Sequence, residues 1–276
     1  MQGAISCRSP RGRPCPGDLK ALPELRQETP PWWWPFDPEC RRAVDGLAFD
    51  ALLEWLNHRS ASLGLQTGRG QPLRFLPQDR LPEYATYEGW IAQTGGVPTR
   101  DNLHDRYNAL IWMSFPKTKA RLNAVQASEL DRLGAAGARG PVRDAATLWD
   151  ENLVVIVAHQ AADTLQAALD ARDWRYLFLA SRTRWHHDWQ VVPFGHALLE
   201  KLARPYKAIT GHVIIEPMGQ FDIAMLDQQL SERVHLQMST ATFRPLPVMG
   251  LPQWDPANQN PGFYADPKVF RPTNPS

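Results

Sequence analysis

The chain has 276 residues, enough for one large domain or two small ones at about 100–200 residues each. It is 43% hydrophobic and 21% charged, an ordinary globular balance that supplies a core. Thirty Lys+Arg against 29 Asp+Glu leave a net charge of +1, which excludes a globally basic nucleic-acid binder while allowing a local basic patch.

The cysteines, Cys7, Cys15 and Cys40, all lie near the N-terminus. Their odd number gives no disulfide framework, and no cysteine follows to act as a nucleophile in the folded core. This fits a reducing compartment, and a cytoplasmic location is expected. Residues 1–31 are rich in Pro, Gly, Arg and polar side chains and lack an apolar secretory core; they read as a disordered tail or a mis-called start. Residues 32–273 are expected to form a single globular domain. Its longest apolar run, Leu153–Ala158, is far short of the roughly 20 residues of a membrane helix.

Trp32, Trp33, Trp34 and Phe36 open the folded part and should pack. Leu47, Leu52, Trp55 and Leu56 recur at near-helical spacing and predict a helix over 45–58. A short strand is expected at 73–76 and a helix over 84–94, ended by Gly95 and Gly96. The next helix covers 99–115, with Asp101 or Asn102 as its N-cap. Pro116 closes it and opens another helix to Leu133. A loop is expected at 134–140. Residues 146–158 read as a hairpin around Asp150, Glu151 and Asn152. Helices are predicted over 161–169, 193–203 and 222–234, a strand over 209–215, and either type over 174–179. From Arg244 the chain is Pro-rich but keeps Trp254, Phe263, Tyr264 and Phe270, so it should run extended with those rings buried. The predicted class is α+β: a mainly helical single domain with a small sheet or hairpin and an extended Pro-rich C-terminal segment.

Several strings together carry a resemblance. They are Tyr87-Glu88, Gly96-Val97-Pro98-Thr99-Arg100-Asp101-Asn102-Leu103-His104-Asp105, and Asn108-Ala109-Leu110-Ile111-Trp112. Phe115-Pro116, Lys119, Leu122-Asn123, Arg143-Asp144, Thr147 and Asp150-Glu151-Asn152 follow. Phe194-Gly195-His196-Ala197-Leu198-Leu199-Glu200-Lys201, Pro245-Leu246-Pro247, Trp254, Phe263-Tyr264 and Val269-Phe270-Arg271-Pro272 complete the set. From about residue 33 to 273 the chain resembles the bacterial family called domain of unknown function 3025. It departs from the pattern at Arg106-Tyr107 and at Leu153. The resemblance implies one domain, bacterial and cytoplasmic, and supplies no activity.

Chemistry must therefore come from the residues. His196 and Glu200, four apart on a helix, share a face and could chelate a metal or act as base and orienting partner. The bland alternative is a pair that tethers the helix. His104, Asn108 and Trp112 align at the same spacing, with Asp105 a quarter-turn away. Asp105 also suits a capping role, three residues after Asn102. Arg100, Lys119 and Asn123 could hold an anionic substrate or could simply line a solvated face. Asp144 is a further acid that could serve as ligand or base, with a salt bridge to Arg143 as its plain reading. His186-His187-Asp188 looks metal-like, but three consecutive side chains rarely converge.

No phosphate-binding glycine loop, dinucleotide fingerprint, His-Glu-x-x-His or Gly-x-Ser-x-Gly string occurs. The leading reading is an acid/base or metal-assisted, hydrolase-like enzyme. His104, Asp105, Asn108, Asp144, His196 and Glu200 would be its catalytic residues, and His104, His196 and Glu200 would bind a divalent metal. The alternatives are a non-catalytic module for nucleic acid or protein, with nucleic acid less favoured, and a structural protein with internal polar networks. A small anionic ligand is the expected partner, and no membrane is expected.

Overall fold

The computed structural model describes residues 29–133 and 140–272. The tail expected over 1–31 lies outside the described residues apart from its last three, and the loop at 134–140 lies outside them apart from Gly140.

The predicted helix over 45–58 is two helices, α1 (Pro38–Gly46) and α2 (Phe49–Leu63). Asp37 opens α1: its carboxylate accepts from the Glu39 amide at 2.8 Å, and Pro38 takes the first helical position. β1 (Arg74–Pro77) pairs in parallel with β2 (Gly96–Thr99), with α3 (Tyr87–Thr94) between them. α4 (Leu103–Ser114) starts at Asn102, whose side chain accepts from the Asp105 amide at 2.8 Å. Pro116 then opens α5 (Pro116–Leu133). Asp227 satisfies the first free amides of α5 from another helix, accepting from Lys117 N at 2.9 Å and from the buried Thr118 N at 2.8 Å.

The predicted hairpin over 146–158 is not formed. Its first half is the end of α6 (Pro141–Asn152), and only the second half is a strand, β3 (Leu153–Ala158). The deciding pattern is helical: Pro141 sits in the first turn, and Ala145, Ala146 and Trp149 are buried along one face. All six residues of β3 are buried, as befits a central strand whose run shows no alternation.

β3 is followed by α7 (Ala162–Asp170), β4 (Trp189–Pro193), α8 (His196–Leu202), β5 (Thr210–Pro217), α9 (Ile223–Arg233) and β6 (Arg244–Pro247). The main sheet has the order β4-β3-β5-β6: β3 and β5 are parallel, the outer pairs antiparallel. The helix predicted from residue 193 begins only at His196, because Pro193 still pairs with Val154. The ambiguous stretch after Trp174 is a short π-helical turn, Tyr176–Ala180.

One apolar cluster runs from Trp32 to Phe270 and joins the helices to the main sheet. Trp32, Trp33 and Phe36 are buried, whereas Trp34 stays 43% exposed. In the Pro-rich C-terminal segment Trp254, Tyr264 and Phe270 are buried, and Tyr264 and Phe270 pack against Phe178. The chain is thus a mainly helical, single-domain α+β protein. Among the described residues no helix is long and apolar enough to cross a membrane.

Candidate functional site

α3, α4, α5, α6 and α8 pack around a common polar interior. Two local features bring His104 and His196 together. The Asn102 cap starts α4 so that His104 falls in its first turn. At the other side, Gly195 lets the end of β4 pass tightly against the end of α6. A Cβ there would lie 2.3 Å from the Glu151 carbonyl oxygen and 2.5 Å from the Asn152 nitrogen. That close approach seats His196 beside Asp150.

The two imidazoles meet edge to face, with Nε2 to Nε2 at 3.0 Å and ring planes 84° apart. Glu200, one turn beyond His196 on α8, places Oε2 3.0 Å from His104 Nδ1. The helical pair His196 and Glu200 therefore grips opposite nitrogens of one ring on α4. The orienting carboxylate expected to serve His196 serves His104 instead. His104 is 32% exposed and Glu200 45%, while His196 is 6% exposed, so the network opens to solvent at His104.

Behind His196 the network is buried. Asp150 Oδ2 lies 3.9 Å from His196 Nδ1, beyond hydrogen-bond reach, and its Oδ1 accepts from Lys119 Nζ at 2.5 Å. Lys119 also donates to Asn108 Oδ1 at 2.8 Å and stands 5.3 Å from the centre of the Trp112 ring. Asn108 in turn donates from Nδ2 to the Tyr87 hydroxyl at 3.1 Å. The neighbouring cavity is only about 10 Å³, at the lower limit for a single water, so nothing larger reaches the network from that side.

Burial pushes His196 down to about 4, against the pull of Asp150, so the ring is neutral at pH 7. Burial alone would raise Asp150. Lys119 and then His196 outweigh that, and its carboxyl is held below the usual range. Glu88 is pushed up by burial and then by Asp150. Burial also carries the Tyr87 hydroxyl well above its ordinary value.

The geometry constrains the protons. Two neutral rings facing Nε2 to Nε2 share one hydrogen. With the Glu200 carboxylate accepting from His104 Nδ1, His104 Nε2 is bare and His196 Nε2 donates. One added proton makes His104 the donor at both nitrogens and leaves the remaining hydrogen on His196 Nδ1, facing Asp150. The pair's exposed end is thus open to solvent while its buried end stays next to a fixed charge.

The other expected residues are placed differently. His104, His196 and Glu200 do not converge as a metal ligand set, because Glu200 and His196 sit on opposite nitrogens of His104. Among the described residues no three His, Cys, Asp or Glu gather to hold an ion. Asp105 is buried and accepts from Arg100 at its backbone N, Nε and Nη2, at 2.6, 3.0 and 2.9 Å. It anchors the entry to α4. Arg100 keeps its side chain 57% exposed. Lys119 and Asn123, expected to hold an anion, are 4% and 2% exposed. Asn123 donates to the Glu88 carboxylate at 2.7 Å. Asp144 is exposed in the first turn of α6. It precedes Asp150 by about 9 Å of helix rise, and Asp150 is the acid that joins the network.

Tyr87 and Glu88 are not among the expected site residues, and Asp150, one of three acids within eight residues, reads from the sequence as part of a polar hairpin turn. The buried face of α6 was the signal for Asp150, hidden by a string that reads locally as a strand. Tyr87 and Glu88 had none in their spacing, since their partners lie on other helices, and only the strings that carry the resemblance single them out.

No curated protein and no solved structure matches the chain. A family profile matches residues 73–274, starting later than the resemblance read from about residue 33. The chain belongs to that family, described as a protein of unknown function (DUF3025).

Proposed function

We propose that the protein is an acid/base catalyst of hydrolase type, with His104 as the group that exchanges a proton with substrate. The observation that carries this is the His104–His196 contact at 3.0 Å, clamped by Glu200 on the solvent side and backed by the Asp150–Lys119 pair. His104 combines partial exposure, a carboxylate that fixes its orientation and a neutral partner ring, which together suit general acid/base work. A purely tethering pair would not need the exposed end or the buried charges behind it. The exposed Arg100 guanidinium, held by Asp105 just before α4, supports a small anionic substrate.

The test is a screen of chromogenic esters, amides and phosphate esters, run beside the His104→Gln and His196→Gln variants. Turnover of one class that falls at least about 100-fold in His104→Gln supports the reading. Equal turnover in all three proteins, or none with any class, contradicts it.

A second reading has its own observation. Two Nε2 atoms that face each other, one on a ring held from behind by a carboxylate, resemble the rear support given to metal-bound histidines. Elemental analysis of untagged protein separates the two: a stoichiometric divalent ion lost in His196→Gln supports a metal, and its absence in both supports metal-free proton transfer.

A further inference from the structure

A cavity of about 230 Å³ lies at the other end of β4 from His196, against the start of the strand. Its walls include Trp34, Trp185 and Trp254, together with His186, Gln190 and Pro252. A second, more open cavity of about 470 Å³ adjoins it and shares His186 and Pro252. Three observations mark this as a built feature. Trp34 is held in place by donating from Nε1 to the Val191 carbonyl at 2.8 Å, which also covers the edge of the sheet, yet it stays 43% exposed. His186 and Gln253, which line these two cavities, hold left-handed backbone at φ 79° and 71°, a conformation that costs energy in non-glycine residues and clusters at ligand sites. Gln190 Oε1 is buried with no hydrogen-bond partner among the described residues.

The lining also selects the ligand. That of the smaller cavity contains no Asp, Glu, Lys or Arg, and Arg182, which lines the adjoining one, is engaged with Asn258 and the Tyr264 hydroxyl, so no free side-chain charge compensates a ligand charge there. Burial, and then His187, push His186 down, which keeps that ring neutral as well. The volume is below the roughly 300–1,000 Å³ of sites for drug-sized ligands and suits one or two fused rings. Indole walls favour a flat π-system. His186 and Gln190 are the only side chains in the lining besides the indoles that carry polar atoms, too few to satisfy the hydroxyls of a sugar. We propose that this cavity binds a small uncharged aromatic heterocycle, stacked among the tryptophans and donating an N–H to Gln190. The site is separate from the histidine pair and does not depend on the catalytic reading.

Saturation-transfer NMR on the full chain tests it with three probes: indole, indene (the same shape without the N–H) and methyl β-glucoside. The expected result is saturable indole binding, indene weaker by at least about tenfold, and no glucoside binding. Trp34→Ala, at an exposed position, should abolish indole binding, and His104→Gln should leave it unchanged. Gln190→Leu should erase the preference for indole over indene; if that variant fails to fold, the ratio in the native chain decides. No saturable indole binding, glucoside binding in its place, equal indole and indene affinities, or full indole binding in Trp34→Ala would overturn the proposal.

Discussion

Lys119 holds the buried part of the network together, since one ammonium serves Asp150, Asn108 and the Trp112 face. Lys119→Met would leave the Asp150 carboxylate buried without its counter-ion. We expect a loss of about 3–5 kcal/mol at pH 7, read from urea unfolding. The double variant Lys119→Met/Asp150→Leu should recover most of that loss, because it removes both charges; no recovery would mean that Asp150 is not the partner that matters. Which residues could be read from the sequence follows from where their partners lie. His104 with Asn108, and His196 with Glu200, stood out because four-residue spacing is a property of one helix. The burial of Lys119 could not be read that way, because Asp150 lies on another helix, 31 residues further along the chain. A lysine on an otherwise polar helix face looks solvated until the helix opposite it is known.

At the scale of elements, two junctions position the site. The start of α5 depends on Asp227 of α9, which accepts from two α5 amides and from the Thr118 hydroxyl at 2.7 Å. Asp227→Ala should cost about 2 kcal/mol and lower Tm by several degrees in calorimetry. An unchanged Tm would show that water caps the helix equally well. Gly195→Ala drives a Cβ into the backbone of Glu151 and Asn152, and the end of β4 must move to relieve it. The expected outcome is lower stability together with loss of the His104–His196 coupling in ring NMR, even though neither histidine is altered. The element boundaries that were legible were those set by punctuation: the Asn102 cap, Pro116, and Gly95 at φ 74°. The hairpin over 146–158 misled because Thr147, Leu148 and Trp149 have strand-like character in isolation. Only the stripe Ala145, Ala146 and Trp149, packed against the rest of the core, makes that stretch helical.

For the molecule as a whole, the buried ionisable groups set the response to pH. An unfolded chain protonates His196 near 6.5, while the folded chain resists until about 4. The unfolded state therefore binds more protons through that window, and the native state loses stability as pH falls from about 6.5 to 4. The full loss is about 3 kcal/mol. Asp150 contributes in the same direction only lower down: its folded value is depressed, so its contribution is complete above 3.8 and disappears as pH falls through the folded value. Glu88 has the opposite sign, since its raised value favours the fold at low pH and the benefit fades as pH rises through that value. His196→Gln should flatten the stability profile between pH 6.5 and 4, and Glu88→Gln should raise stability at pH 8 while changing little at pH 4.

The most direct measurement is the pH dependence of the ring nitrogens of His196, followed by ¹⁵N NMR with His104→Gln as the assignment control. His196 should stay neutral down to about pH 4, with its Nε2 resonance responding when His104 takes up a proton. A His196 that titrates near pH 6.5 as an ordinary imidazole, with no response to His104, would contradict the shared-proton pair and the catalytic reading that rests on it.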